Sequence, residues 1–151
     1  MIASMTRLIA VALTFAAAPV FAQAPPRPAG QIKIASGSAF VVRGGTQLPA
    51  EAGQPIFEAD TVRTGADGRL GITLKDDTRV SLGPGSEVRV NRFVYAPAEG
   101  RLGLVLGVVR GAMAYVSGRI AKLAPDSIRL ETPAAVMGVR GTTLAVRVTP
   151  P

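Results

Sequence analysis

The chain has 151 residues, which is enough for one domain and too few for two of ordinary size. It has no histidine and no cysteine, which excludes Ser-His-Asp and Cys-His nucleophiles, the usual zinc sites and disulfide bonds. Lysine and arginine outnumber the acids by 17 to 10 and give a net charge of +7, but they are spread singly, and aromatic residues make up only 5%. Nucleic-acid binding usually needs clustered charge and stacking aromatics, so this composition argues against it.

The first 22 residues have the pattern of a secretory signal peptide. Arg7 precedes an apolar run over 8–18, and small residues lead to a cleavage site predicted after Ala22. The apolar run is short for a membrane span, although an uncleaved anchor is the alternative. Residues 23–30 contain "PPRPAG" and are predicted to form a disordered lead-in, followed by an exported domain over 31–149. We expect the domain in the periplasm, with secretion as the second choice and no transmembrane span in the mature chain.

Beyond residue 30 the dominant pattern is a two-residue alternation of apolar and polar side chains, which is typical of half-buried strands. Glycine, proline and aspartate turns separate these runs at short intervals. The clearest runs are 69–75, 79–82, 87–91, 127–131 and 142–148. The sequence therefore predicts an all-β single domain of about ten short strands in twisted antiparallel hairpins, sandwich- or roll-like, with no long helix. The nearest helical candidate is "RIAKLA", 119–124.

The segment 101–116 is apolar nearly throughout and is interrupted by glycines. Such continuity favours central strands that are buried on both faces. We predict two strands here, 101–107 and 109–116, with Gly103, Gly107 and Gly111 marking bends or close backbone contacts.

A short motif, valine and arginine followed by glycine, recurs where apolar runs end. Glycine supplies positive φ at such corners, and arginine can cap open carbonyl groups. The motif predicts similar strand-to-turn corners at four places: Val42-Arg43-Gly44, Val62-Arg63-Thr64-Gly65, Val109-Arg110-Gly111 and Val139-Arg140-Gly141.

Three segments in chain order resemble the FecR domain. They are "DTVRTGADGRLGITLKDDTRVSLGPGSEVRV" (60–90), "LGLVLGVVRGAMAYV" (102–116) and "LETPAAVMGVRGTTLAVRV" (130–148), and the resemblance covers about residues 36–148. The resemblance implies an all-β periplasmic domain with a set of structural signature residues. That set is Asp60, Thr64, Gly65, Asp76, Asp77, Gly107, Arg110, Gly111, Gly138, Arg140, Gly141 and Thr142.

The resemblance also implies a role in signalling. In the iron-transport regulators of this family, the domain receives a signal from an outer-membrane transporter and passes it through a membrane helix to a cytoplasmic anti-sigma segment. This sequence shows no such segment. We therefore expect a free-standing, non-catalytic binding or sensing module whose partner is another envelope protein. The alternative is an arginine-rich structural protein that binds peptidoglycan, another glycan or anionic lipid.

No enzyme, cofactor, metal or nucleic-acid partner is predicted. The lysines do not form a Ser-x-x-Lys motif, and a carboxylate pair would be needed for glycoside hydrolysis. Asp76-Asp77 fits a hairpin turn better than a calcium site, because calcium requires six or more oxygen ligands.

The corner at Arg140-Gly141-Thr142 carries the most specific structural prediction. We expect Thr142 to begin a strand, and Arg140 to be at least half-buried and bonded to main-chain oxygens. Asp60 is its candidate counter-charge, because both residues lie in segments that resemble the FecR domain. On this interpretation, Arg140→Ala should cost about 1–3 kcal/mol.

Overall fold

The computed structural model of the chain describes residues 18–150. In the predicted signal peptide, Arg7 and residues 8–17 of the apolar run lie outside the described residues. Residues 18–28 have no regular secondary structure. The folded part begins at Ala29, which is buried and donates its amide to the carbonyl of Ile56 at 2.7 Å. Gly30 also pairs with Ile56, so Gly30 and Ile56 both belong to the sheet. The domain boundary at residue 31 stays a prediction.

Twelve strands and three short helical segments make up the described fold. The strands are β1 (Gly30–Ser36), β2 (Ala39–Arg43), β3 (Thr46–Pro49), β4 (Pro55–Ile56), β5 (Thr61–Thr64), β6 (Arg69–Leu74), β7 (Arg79–Leu82), β8 (Glu87–Ala96), β9 (Arg101–Val116), β10 (Ile128–Glu131), β11 (Val136–Gly138) and β12 (Thr143–Val148). The helix α1 spans Arg119–Leu123, and 3-10 turns span Pro97–Glu99 and Pro125–Ser127. The predicted all-β class is confirmed. The count exceeds ten because strands as short as β4 and β11 have no readable alternation.

The strands form one curled sheet in the order β3-β2-β5-β8-β9-β7-β6-β1-β4, from which β10, β11 and β12 branch. Every strand pair is antiparallel except β9–β10, which is parallel. The long strand β9 is the centre of the fold because four strands pair with it, namely β7, β8, β10 and β12. The antiparallel hairpins and the rolled sheet agree with the architecture that the sequence predicts.

The prediction of two strands over 101–107 and 109–116 is wrong, because β9 runs without interruption through 16 residues. Its first part, 101–110, pairs with β8, and its last part, 113–116, pairs with β7. The expected burial on both faces holds only before Val109, which is itself exposed. The continuous apolar sequence therefore corresponds to burial only in the first half of β9, and the strand itself continues to Val116.

The change of partner along β9 occurs at Gly111. Its φ of +82° lies in the left-handed region that side chains disfavour. A Cβ at this position would lie 2.3 Å from the hydroxyl oxygen of Ser86. Glycine at this point therefore lets the strand bend against the β7–β8 turn without ending.

The hydrophobic core lies inside the curl, where the alternation of each strand places every second side chain. Leu104, Leu106 and Val108 of β9 point inward and are almost fully buried. The helix α1 adds Ile120, which is fully buried at one end of the core. Among residues 18–150, no helix has the length and apolar character to cross a membrane.

Candidate functional site

Asp60 is a buried carboxylate that connects three segments near β2. Its Oδ1 accepts a hydrogen bond from Arg43 Nε at 2.9 Å, and its Oδ2 accepts one from Arg43 Nη2 at 2.7 Å. The same Oδ2 accepts the amide of Phe57 at 2.9 Å, and the guanidinium of Arg43 lies 4.5 Å above the Phe57 ring. A second bond from Arg43 Nη2 reaches the carbonyl of Pro55 at 3.0 Å. Hydrogen bonding to Asp60 raises the pKa of Arg43. The side chains of this cluster are satisfied by one another.

Thr64 and Ser86 form a second buried polar contact where β9 bends. Thr64 Oγ1 donates to the carbonyl of Gly83 at 2.7 Å and accepts the amide of Ser86 at 2.9 Å. The hydroxyl of Ser86 accepts the amide of Ala112 at 2.9 Å. Gly65 continues this contact, because its carbonyl accepts the amide of Gly85 at 2.9 Å. These bonds fix the β7–β8 turn against β9.

Asp76 forms the third buried polar contact, at the β6–β7 hairpin. Its oxygens accept bonds from the amide and hydroxyl of Thr78, at 3.1 and 2.8 Å, and from the amide of Ile120 at 3.2 Å. One side chain therefore closes the hairpin and caps the first turn of α1. Asp77 occupies the turn with φ of +69° and pairs with Arg119 at 3.0 Å. The hairpin interpretation of Asp76-Asp77 is confirmed, although Asp76 is buried and not at the surface.

The hydroxyl of Tyr115 lies in the same buried region. It is fully buried and has no hydrogen-bond partner of acceptable geometry among the described residues. Burial raises the pKa of Tyr115 to about 12, the negative charge of Asp76 adds to the effect, and nearby Thr78 opposes it. The phenol is therefore neutral at ordinary pH and serves packing.

Arg110 lies on the outer face of β9, where it pairs with Glu87. Arg110 Nε lies 3.3 Å from Glu87 Oε2, while Arg63 Nη2 donates to Glu87 Oε1 at 3.2 Å. Two arginines thus share one carboxylate across three neighbouring strands. The pair is a cross-strand surface contact.

Gly107 lies on the same outer face and gives room to a neighbouring side chain. A Cβ at Gly107 would lie 2.9 Å from the amide nitrogen of Asn91. That nitrogen donates to Glu131 Oε2 at 2.8 Å, so the side chain of Asn91 crosses above β9 to reach β10. The close contact at Gly107 is therefore with a side chain, whereas the sequence predicted a bend or a close backbone contact there.

The structure of the corner at Arg140-Gly141-Thr142 differs from the prediction. The side chain of Arg140 is 82% exposed, and its Nη2 contacts the carboxylate of Asp126, itself 81% exposed, at 2.8 Å. The prediction that Arg140 is half-buried, bonded to main-chain oxygens and paired with Asp60 is wrong. Arg43 occupies the place beside Asp60.

The remaining signature residues of this corner lie near the surface. Gly138 ends β11, and Gly141 has a φ of +131°; a Cβ would meet no atom within 4 Å at either glycine. Thr142 precedes β12, which begins at Thr143, and its carbonyl accepts the amide of Ser117 at 2.9 Å. The predicted strand start is therefore one residue early. This corner is held by that bond to the end of β9, by a long main-chain bond from Val139 to Ile128 at 3.4 Å, and by the buried side chain of Val139.

An apolar groove, here called the seam groove, lies between β11 and β12. It has a volume of about 750 Å³, and its walls are Val109, residues 132–135, Met137 and residues 144–150. In the described residues, β11 pairs only with β10, and β12 pairs only with β9, so each strand has a free edge. The inward side chains of β12, at 144, 146 and 148, are only half-buried, which leaves apolar surface in the groove. An unpaired strand beside apolar surface can accept another strand.

Several of these residues were not identified from the sequence. Arg43 lies in one of the four valine-arginine-glycine corners, but nothing in the pattern distinguishes it from Arg140. Ser86 lies in the stretch "GPGS", 83–86, and nothing in the sequence indicates that its side chain is buried. The seam groove has no signal in the sequence, because it depends on where β11 and β12 meet β10 and β9.

The buried acidic side chains of residues 18–150 are engaged within the fold. The two fully buried carboxylates, Asp60 and Asp76, accept bonds from the chain's own donors at different ends of the fold. Across residues 18–150, no three acidic side chains lie close enough together to hold a metal ion. The described surface instead offers strand edges and concave faces.

The fold and these contacts define a small all-β module whose turns are held by buried polar groups. The sequence model of the family described as FecR protein matches residues 60–151, from the Asp60 contact to the end of β12. The chain therefore belongs to the FecR family. No curated protein and no solved structure gave a significant match. The strands β1 to β4 lie before the matched segment but belong to the same sheet.

Proposed function

We propose that this protein is an exported, non-catalytic binding module of the cell envelope, with the seam groove as its docking surface. Its partner is an extended apolar segment of another envelope protein, which adds as a strand to the free edge of β12. Membership of the FecR family and the signal-peptide pattern of the first 22 residues support the envelope location. The engagement of Asp60 and Asp76 in bonds within the protein supports a role without catalysis.

The observation that carries the proposal is the orientation of β12. The carbonyl of Thr142 bonds to Ser117, and in an antiparallel pair the bonding residues alternate. Residues 144, 146 and 148 therefore bond to β9, whereas the main-chain groups of Thr143, Ala145 and Arg147 point to the free edge. A partner strand would bond to these groups and place its apolar side chains in the groove.

The test uses a photo-crosslinking amino acid at Thr143 in living cells, with the same probe at Gln47 as control. Gln47 lies on β3, the edge strand at one end of the sheet. We expect one dominant adduct with an envelope protein at Thr143 and none at Gln47. The same adduct at both positions, or none at Thr143, would contradict the proposal.

A matched pair of variants at Ala145 shows whether main-chain pairing is used. Ala145→Pro removes an amide that points to the free edge, so the β9–β12 bonds remain. Ala145→Val retains the amide and favours a strand. We expect the adduct at Thr143 to disappear in the proline variant only, with both variants unfolding near the wild-type temperature. An adduct that survives Ala145→Pro would exclude strand addition.

A second candidate function, adhesion to anionic glycan or lipid, is favoured by the unpaired basic side chains. In residues 18–150 the basic side chains with no carboxylate oxygen within 4.0 Å are Arg27, Lys33, Arg69, Lys75, Arg79, Arg89, Arg92, Lys122, Arg129 and Arg147. They would bind through screened charge, so sedimentation with isolated cell wall or anionic vesicles should fall steeply between low and physiological salt. If the amount of protein that sediments does not depend on salt concentration, this candidate function is ruled out.

A further inference from the structure

A second cleft, distinct from the seam groove, lies along the last part of β8. Here called the β8 cleft, it has a volume of about 720 Å³ and is lined by Arg27, Pro28, Lys75, residues 93–96, Glu99 and Arg101. The neighbouring strand β5 pairs with β8 only at residues 87–89. The end of β8 therefore has β9 on one edge and the cleft on the other.

The main chain at this edge of β8 is oriented toward the cleft side. The amide of Phe93 points away from β9, because it donates to Glu58 Oε2 at 2.9 Å. The pairing of residues 92–96 with β9 is regular, so the bonding alternates along it. The amide of Tyr95 and the carbonyls of Phe93 and Tyr95 consequently point to the same open side. Residues 93–96 extend over about 13 Å, the length of a short strand.

The charge around the β8 cleft is positive. Three basic side chains line it, Arg27, Lys75 and Arg101, against the carboxylate of Glu99, and a second carboxylate, that of Glu58, lies at its edge on the amide of Phe93. Lys75 and Arg101 are exposed, and Arg101 pairs with Glu99 at 3.4 Å. The acid nearest in sequence to Lys75 at the surface, Asp77, is paired with Arg119. The balance stays positive because Arg27 and Lys75 have no carboxylate oxygen of the described residues within 4.0 Å, so a ligand with several carboxylates would meet two basic side chains that none of these acids neutralises.

We propose that the β8 cleft binds an extended acidic polypeptide segment, which adds as a strand along Phe93–Ala96. The amide of Tyr95 and the carbonyls of Phe93 and Tyr95 supply strand pairing, and Lys75, Arg101 and Arg27 contact alternate acidic side chains. An acidic peptide fits both features, since a polysaccharide polyanion lacks the regular amides that would pair with β8. The site shares no residue with the seam groove, so the two proposals succeed or fail separately.

The binding test uses a fluorescent eight-residue peptide of alternating glutamate and valine, followed by anisotropy at low salt. We expect saturable binding that weakens at least fivefold in Lys75→Glu and further when Arg101→Glu is added. The matched control is Arg79→Glu, because Arg79 is exposed on the other side of the same hairpin and lies outside the cleft. It should change the affinity less than twofold. Equal loss in Arg79→Glu would show that only net charge is sensed and would overturn the proposal.

Three further ligands test the chemistry of the occupant. A glutamate-proline peptide keeps the charge but lacks half of the amides, and we expect it to bind at least fivefold more weakly. A lysine-valine peptide should not bind. Polygalacturonate, an anionic glycan, should not displace the glutamate-valine peptide at equal carboxylate concentration. Binding of the glutamate-proline peptide at full strength, or displacement by polygalacturonate, would reject an added strand.

Discussion

Two corners with the same sequence pattern, Val42-Arg43-Gly44 and Val139-Arg140-Gly141, have opposite environments. Arg43 bonds to the buried carboxylate of Asp60, to a main-chain carbonyl and to an aromatic ring. Arg140 extends into solvent and meets one exposed carboxylate. The contacts that the sequence leads one to expect of Arg140 are those that Arg43 makes.

The difference follows from where each corner lies in the sheet. Strand β2 lies between β3 and β5, so the end of β2 faces the loop that carries Asp60. The second corner joins β11 to β12, two strands with free edges. A charged side chain beside a buried carboxylate is stabilised by hydrogen bonds within the protein. Beside the seam groove, water can supply those hydrogen bonds. Substitutions at the buried polar contacts should therefore cost more stability than substitutions beside the seam groove.

Asp76→Ala should be the most destabilising of these changes. It leaves two donors of Thr78 and the amide of Ile120 without partners in a fully buried place, for which we expect a loss of about 4 kcal/mol in the free energy of unfolding. Its counterpart beside the seam groove is Thr132→Ala, which removes two exposed hydrogen bonds with the main chain of Ala135 and should cost about 0.5 kcal/mol. Urea unfolding measures both. Equal losses would remove the distinction between covered corners and seam.

Gly111→Ala should cost about 3 kcal/mol, because the new Cβ combines positive φ with a contact of 2.3 Å to the Ser86 hydroxyl. Gly141→Ala also introduces a side chain at positive φ, but it meets no atom within 4 Å, so we expect about 1 kcal/mol. Thermal unfolding of the two variants separates steric contact from backbone strain. A Gly141→Ala loss as large as that of Gly111→Ala would show that φ alone decides.

Stability should fall at alkaline pH through Tyr115. Its pKa is about 12 in the folded protein against 10.0 normally, so above pH 10 the unfolded state loses this proton first. The contribution is complete below pH 10 and is lost as pH rises to 12, by about 2–3 kcal/mol at 1.36 kcal/mol per unit. Urea unfolding from pH 9 to 12 should show a shallower decline in Tyr115→Phe than in wild type. Arg140→Ala, at the seam, should keep the wild-type decline; an unchanged decline in Tyr115→Phe would refute the assignment.

Arg43→Ala should cost about 2 kcal/mol, since it leaves Asp60, only 2% exposed, without its ion-pair partner. This cost is smaller than that of breaking a fully buried ion pair, because the Arg43 side chain is itself 37% exposed. Arg140→Ala should cost no more than about 0.5 kcal/mol, the usual value of a surface pair. Chemical denaturation of this pair of variants is the most direct comparison of the two corners. The reverse order would restore the environment first predicted for Arg140.

Much of the fold follows from local pattern, as the runs 69–75 and 79–82 illustrate. They form β6 and β7 almost to the residue, and the Asp76-Asp77 turn between them is where the alternation stops. The same alternation indicates β12, but it gives no sign that one edge of β12 is free. The β8 cleft could not be predicted, because it is lined by segments far apart in the chain. The seam groove could not be predicted either, because it depends on β11 pairing with β10 while β12 pairs with β9.

The sequence by itself determined the all-β class, the family and most strand boundaries, because alternation and turn residues are local properties. Only the tertiary structure decided which arginine meets Asp60, which strands lie at an edge and where β9 bends. Those outcomes depend on strand order and on contacts between residues that are far apart in the chain. Gly111 and Ser86 are 25 residues apart, and Asp76 and Ile120 are 44 residues apart. Local patterns carry no information about such distant pairings, so identical corners can end in core or in solvent.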